Sequence, residues 1–296
     1  MVGDTAFEAR EIRGLDFTSA PSARKPITAA HARLESTDDR GVRSLHLQAI
    51  ERLTTLEAWS AWLMHPGPWL AGCDLPFGLP RPLVEALGWP RQWHELMQWY
   101  AAQPRAELRT RFKAYCDARP PGQKFAHRAT DLPAGSSPSM KWVNPPVAWM
   151  MHAGVPRLMA AGVHLPGLHA GDPQRVALEA YPGFLARRIT PHSYKSDEKS
   201  RQTAARQAQR ERIADAICEG VPCVLTGERL RVHCPQALRS MLIEDATGDS
   251  LDAVLCAVQA AQAAQLPGYG MPAWADPLEG WIAGVPPLAG QIAPGK

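Results

Sequence analysis

Three stretches near the start of the chain alternate apolar and polar positions at the two-residue period of a strand. They are residues 9–18 (AREIRGLDFT), 25–36 (KPITAAHARLES) and 41–50 (GVRSLHLQAI). Asp38, Asp39 and Gly41 supply turn residues between the second and third, so an antiparallel meander is expected. The period then lengthens. Thr54 and Glu57 have the spacing of a capping box ahead of the amphipathic stretch LEAWSAWLM, which His65-Pro66-Gly67-Pro68 closes. The short apolar run WLAGCD (69–74) reads as a buried strand and, like the first, ends on an aspartate. Residues 80–170 carry no clear strand. They are rich in Pro, Trp, Met and His, with helical patches such as QWHELMQWYAAQ and AELRTRFKAYCDA, and read as a helical insertion. Strand character returns in RVALEAY (175–181), which carries Glu179, and Pro182 starts the helix PGFLARRI. Residues 199–219 read as a long charged helix, 235–245 as another, and 248 to about 265 as a third. The last 30 residues are rich in Gly and Pro and contain an EGWI segment at 279–282.

The last of these helices is unusual in its polar pattern. In DSLDAVLCAVQAA, helical geometry puts Leu251, Val254, Leu255 and Val258 on one face. Asp249 and Asp252 lie off that face, beside Ala253, Cys256 and Ala260. Long polar side chains are missing where a surface helix would carry them. Small residues suit close packing on a sheet, which would leave two carboxylates at the end of a buried helix. A plainer reading makes Asp249 the N-cap and Asp252 a first-turn acid favoured by the helix dipole.

Composition narrows the class. The 296 residues are 45% hydrophobic and 21% charged, as in an ordinary globular protein large enough for one domain with an insertion. No apolar run reaches the roughly 18 residues of a membrane span. The N-terminal stretch MVGDTAFEAREIRG lacks a signal-peptide hydrophobic region, so a cytoplasmic protein is expected. Six scattered cysteines form no CxxC and read as small buried apolar residues. The net charge of +3 is modest but uneven. Residues 101–131 hold seven Lys/Arg against three acids, and residues 185–231 hold ten against six. Such segments can follow a phosphate backbone, or be no more than solvated helix faces. The Trp and Tyr residues of the insertion can stack on bases, but at helical spacing they more often form core.

Four places concentrate acids: GLDFT with Asp16, GCDLPFGLP with Asp74, LEAYP with Glu179, and GDSLDA with Asp249 and Asp252. The first three fall at or near the C-terminal ends of apolar strands, where α/β sheets form ligand crevices. Carboxylates forced together repel, and a hard divalent cation relieves them. Such a cation, or a pair, can activate water against a phosphodiester. Each acid also has a plain reading: a loop cap at Asp16, a turn former at Asp74, an arginine partner at Glu179.

The order of these motifs resembles the ribonuclease H-like superfamily: a strand ending on an acid, two more strands, a helix, another strand ending on an acid, and a late Asp-x-x-Asp helix. DSLDAVLCAVQAA is similar to the closing helix of RuvC-type Holliday-junction resolvases. GLDFT, CDLPFGLP, HRATD, EAYP, DSLDAVLCA and EGWI together resemble domain-of-unknown-function family 429, whose members are predicted nucleases. The resemblance covers most of the chain. It implies an α/β, ribonuclease H-like mixed five-stranded sheet flanked by helices, in one domain over 1–296 with the insertion at 80–170. It further implies Asp16, Asp74 and Asp252, with Asp249, as ligands of Mg²⁺ or Mn²⁺. Glu179 is then a further catalytic acid. Arg128 (in HRATD, with Asp131), Lys195 and Arg201 are candidates for substrate phosphate. The acid that ribonuclease H carries on its first helix would be Glu51 or Glu57, with Glu179 as substitute. The expected activity is metal-dependent hydrolysis of nucleic-acid phosphodiesters, with nucleic acid as partner and no membrane.

Two other functions fit parts of the chain. A nucleotide-binding phosphotransferase of the actin-like or sugar-kinase type needs a glycine-rich phosphate loop; PAGSSPSMK (133–141) is the nearest candidate, and no GxxxxGK[ST] occurs. A non-catalytic nucleic-acid or protein binding module would keep the acids only as caps.

Overall fold

The computed structural model describes residues 10–35 and 42–288. The turn expected at Asp38, Asp39 and Gly41 lies outside the described residues. The first half of the chain runs β1 (Arg10–Asp16), β2 (Ile27–Leu34), β3 (Arg43–Leu53), α1 (Leu56–Leu63) and β4 (Trp69–Asp74). The insertion follows as α2 (Arg81–Ala86), α3 (Trp93–Ala102), α4 (Arg105–Asp117), α5 (Asp131–Ala134) and α6 (Val147–Ala160). Then come β5 (Val163–His164), β6 (Asp172–Glu179), α7 (Pro182–Ile189), α8 (Ala204–Glu219), β7 (Val221–Pro222), β8 (Arg229–His233), α9 (Gln236–Glu244) and α10 (Asp249–Ala263).

The sheet is mixed and has the order β5-β6-β4-β1-β2-β3-β8-β7. β1, β2 and β3 form the expected antiparallel meander. β4 lies parallel to β1, and β6 parallel to β4. Five strands were expected and eight are present among the described residues. The additions are at the two edges. β5 is a two-residue strand at the end of the segment expected to be wholly helical. β7 and β8 form an antiparallel pair beside β3. β8 could have been read from its sequence: RLRVH alternates strictly and buries every second residue.

Two apolar layers sandwich the sheet. On one face Leu15, Ala29, Trp69, Ala71 and Cys73 pack against α1 and the insertion. The insertion's Trp89, Trp93, Tyr100 and Phe112 are buried there, so these aromatics are core rather than base-stacking surface. On the other face Ile12, Ala30, Leu70, Val176 and Leu178 meet α7, α8 and α10. No described helix is long and apolar enough to cross a membrane.

Local chemistry moves several boundaries. α1 is capped by Thr55, whose hydroxyl accepts from the Ala58 amide at 3.0 Å, so the Thr54–Glu57 capping box does not form. α8 begins at Ala204, after the cap Thr203, and residues 199–201 make a separate 3₁₀ turn. The basic stretches of α4 lie on a solvated face, with Arg109, Arg111 and Lys113 exposed.

Candidate functional site: acids at the floor of a cavity

Asp16 and Asp74 are register partners at the ends of adjacent parallel strands. Both strands end in the same three-residue pattern, Gly14-Leu15-Asp16 and Gly72-Cys73-Asp74. The glycines explain the pattern. A Cβ at Gly14 would stand 1.9 Å from the carbonyl oxygen of Ala253, and one at Gly72 would stand 2.3 Å from that of Cys256. The backbone of α10 therefore rests directly on β1 and β4, where only glycine leaves room. Alternation puts each aspartate on the same face as its glycine, two residues further along. Asp252 lies one helical turn before Cys256, so the first turn of α10 comes down beside the two strand ends. All fifteen residues of α10 are buried.

The helix acids are not caps. Gly248, in the left-handed region at φ 79°, is the N-cap of α10, and it has no side chain to offer. Asp245 does the capping instead: its carboxylate accepts from the Ser250 amide at 2.9 Å and the Thr247 amide at 3.1 Å. Asp249 accepts from Lys25 Nζ at 3.1 Å. Asp252 is fully buried, with one oxygen bonded to the Tyr194 hydroxyl at 2.5 Å and the other to Lys195 Nζ. Burial and the neighbouring Asp252 carboxylate raise the Tyr194 pKa well above its ordinary value, which keeps the phenol a donor. Burial opposes the Lys195 charge, but Asp252, Asp16 and Tyr194 outweigh it and hold the ammonium protonated.

Asp16 and Asp74 differ from these. Among the described residues, neither carboxylate receives a hydrogen bond or an ion pair, although Asp16 is only 8% exposed. Burial raises the Asp16 pKa well above the ordinary range, with repulsion from Asp249, Asp252 and Asp74 adding to it and Lys195 opposing. Burial likewise raises Asp74 to about 7; Lys195 lowers it, while Asp252 and Glu179 raise it further.

Glu179 ends β6, one register step from Asp74 and opposite Cys73. It is committed to a different network. Arg128 donates to both of its oxygens, at 2.7 and 2.6 Å, and the Phe77 amide donates at 2.9 Å. Arg128 also grips Asp131 at 2.8 Å and the Glu279 carbonyl at 3.0 Å. The Glu279 side chain takes the Arg81 and Ala129 amides, both at 2.8 Å. The motifs HRATD, EAYP and EGWI thus converge on one buried knot, which ties the insertion and the C-terminal segment to the end of β6. Arg128 holds no free guanidinium for a phosphate. Of the other residues, Arg201 pairs with Glu198 on an exposed turn and does not line the cavity. Glu51 bonds His31 on exposed β3, and Glu57 is 81% exposed near Arg157; neither reaches the site.

Above the acids lies a cavity of about 730 Å³. Its floor holds Asp16, Asp74 and Asp249, and its walls come from the start of α6, from α7 and from the loop carrying Tyr194 and Lys195. Arg187 crosses from α7 to the carbonyls of Ala134 and Gly135, at 2.6 and 3.1 Å. Sequence reading missed Lys25, Tyr194 and Arg187, since the partners that hold them at the site, Asp249, Asp252 and the Ala134 and Gly135 carbonyls, lie 52 or more residues away; the repeated G-x-D was the signal available for the seat of α10.

The donors suit a hard cation in part. No three described Asp, Glu, His or Cys side chains stand as a ready ligand set. Mg²⁺ needs only one or two carboxylates, since it keeps waters and shares substrate oxygens. Asp16 and Asp74, adjacent and unpartnered, meet that requirement; Asp249 and Asp252 each already hold an ammonium. No family model, curated protein or solved structure matches the chain.

Proposed function

We propose that this protein is a divalent-cation-dependent phosphodiesterase that hydrolyses nucleic-acid phosphodiester bonds on a ribonuclease H-like sheet. One observation carries the reading: Asp16 and Asp74 face the cavity side by side with raised pKa values and no protein donor, while acids around them are each given one. A protein gains no stability from two such carboxylates, so a ligand is the natural reason to keep them. The succession of an antiparallel meander, a parallel strand ending on an acid and a late Asp-x-x-Asp helix supports the superfamily resemblance.

Asp16 and Asp74 would hold Mg²⁺ or Mn²⁺, with waters and a substrate oxygen completing the shell, while Asp249 and Asp252 hold Lys25 and Lys195 beside it. The cation would supply an activated water and neutralise charge on the phosphate. Lys195 and Lys25 bring positive charge to the same end of the cavity, where a phosphate oxygen can accept from either. Glu179 and Arg128 hold the wall in place rather than touching the reacting atoms.

The kinase-type alternative is less well supported. PAGSSPSMK leaves α5, not a strand, and a Cβ at its left-handed Gly135 would meet Arg187 at 2.9 Å, so that backbone is already covered. A module that keeps acids only as caps does not explain Asp16 and Asp74, which cap nothing.

The test is hydrolysis of single-stranded, duplex, hybrid and junction substrates with Mg²⁺ or Mn²⁺. Cleavage of at least one is expected, with Asp16→Asn lowering the rate at least 100-fold. No cleavage of any substrate, or full activity in Asp16→Asn, overturns the reading. A rise in melting temperature with ATP and Mg²⁺ in place of cleavage would favour the phosphotransferase.

A further inference from the structure

We propose that the cavity accepts one nucleotide unit at a time, from a free nucleotide or a single-stranded end, and excludes intact duplex. This rests on the phosphodiesterase reading and specifies its substrate.

The first argument is depth. Asp16 and Asp249 line the cavity yet are 8% and 3% exposed. A phosphate reaches them only by entering. Arg187, fixed to the carbonyls of Ala134 and Gly135, bridges two walls. The cavity volume of about 730 Å³ lies in the range of small-molecule sites, roughly 300–1,000 Å³. A duplex keeps its phosphates on the outside of a rigid cylinder, whose neighbouring strand would strike those walls before a phosphate touched the floor.

The second argument is the mixture in the lining. Beside the acids and the two lysines stand Arg128, Arg187 and several hydroxyl groups, while Phe17, Pro146, Met150 and Tyr181 supply apolar and aromatic surface, the Tyr181 ring backed by the Arg187 guanidinium 5.1 Å from its centroid. A groove that tracks a backbone is lined with positive charge along its length. Here apolar and aromatic side chains share one cavity with acids and cations, a combination that suits a base attached to a phosphate. Aromatic and thioether groups favour the flat face of any base, so recognition would be tolerant of sequence.

The experiment is a calorimetric titration of Asp16→Asn protein, with Mg²⁺, against a 5′-mononucleotide, a thymidine dinucleotide, a single-stranded decamer and a blunt twelve-base-pair duplex. The dinucleotide and the decamer are expected to bind one to one, and the duplex at least tenfold more weakly. A mononucleotide as tight as the decamer would assign the site to free nucleotides; a tighter decamer would assign it to strand ends. Adding Met150→Trp, which narrows the cavity, is expected to weaken dinucleotide binding at least tenfold. Tyr181→Ala serves the same purpose should the larger residue unfold the protein. Duplex binding as tight as the decamer, or no binding of any short ligand, overturns the proposal. Hydrolysis of a small aryl phosphodiester by the wild type separates the two readings. Hydrolysis without dinucleotide binding removes only this inference; dinucleotide binding without hydrolysis removes only the phosphodiesterase.

Discussion

Asp131 and Glu179, 0% and 4% exposed, share the guanidinium of Arg128 and accept from one backbone amide each, whereas Asp16, 8% exposed, receives no donor among the described residues. The two groups of acids lie almost side by side, since Glu179 and Asp74 sit one register step apart on adjoining strands. All four are carboxylates with little or partial exposure. What separates them is compensation. Around Arg128 every charge meets a partner, Asp131 from three residues away and Glu179 from 51, and with the Glu279 carbonyl the knot fastens the insertion and the C-terminal segment to the sheet. At the ends of β1 and β4 two carboxylates on the floor of a cavity receive no donor from the described residues. Buried charge without a partner is costly. The difference teaches which acids serve the fold and which await something the chain itself does not supply.

Breaking the compensated side should have the largest effect. Arg128→Met strands Glu179 and Asp131 without their cation, and should destabilise the protein by about 3–5 kcal/mol in urea unfolding. An unchanged midpoint would mean that the knot is ornamental.

Removing charge on the uncompensated side should act in the opposite direction. Asp16→Asn or Asp74→Asn is expected to raise cation-free stability at pH 8 by roughly 1–3 kcal/mol while abolishing hydrolysis. The pH dependence follows from the same cause. Folding raises both pKa values, so folding favours the protonated carboxyls. Their stabilising contribution is complete below about pH 4; that of Asp74 is lost as pH rises through about 7, and that of Asp16 as pH rises through its own raised value. Cation-free wild type should therefore lose stability between pH 4 and 8 more steeply than the double variant. Equal slopes would show that these acids are compensated after all.

The capping acid supplies a smaller contrast. Burial raises the Asp245 pKa, but hydrogen bonds from Thr247 and Ser250 outweigh it and leave the carboxyl below its ordinary value. Its contribution is therefore present above about pH 4 and lost as pH falls through the folded-state pKa. Asp245→Ala should cost about 1 kcal/mol at neutral pH. Smallest of all, Thr55→Ala removes an exposed cap from α1 and should cost between about 0.5 and 1 kcal/mol, with hydrolysis unchanged.

The sequence carried more of the fold than of the site's working geometry. WLAGCD and PGFLARRI are bounded in the structure as their patterns predict, because a continuous apolar run and a leading proline are local signals. The meander was legible from alternation, and so was the apolar character of α10. The edge strands β5 and β7 were not, since two residues carry no period. Thr54 and Thr55 are adjacent and chemically alike, and only the backbone's approach to Ala58 selected the second.

The sequence by itself determined that acids end two apolar strands and open a helix of small residues, and that a glycine precedes each strand-end acid by two. Those are local facts, set by alternation and by the space a backbone needs. Only the tertiary structure decided which of the acids are satisfied. Arg128 reaches Glu179 across 51 residues, Lys195 reaches Asp252 across 57 and Lys25 reaches Asp249 across 224. Compensation of a buried charge is a matter of distance in space, and no spacing along a chain fixes it. Asp16 and Asp74 stand out because, among the described residues, they are the strand-end acids left without such a partner.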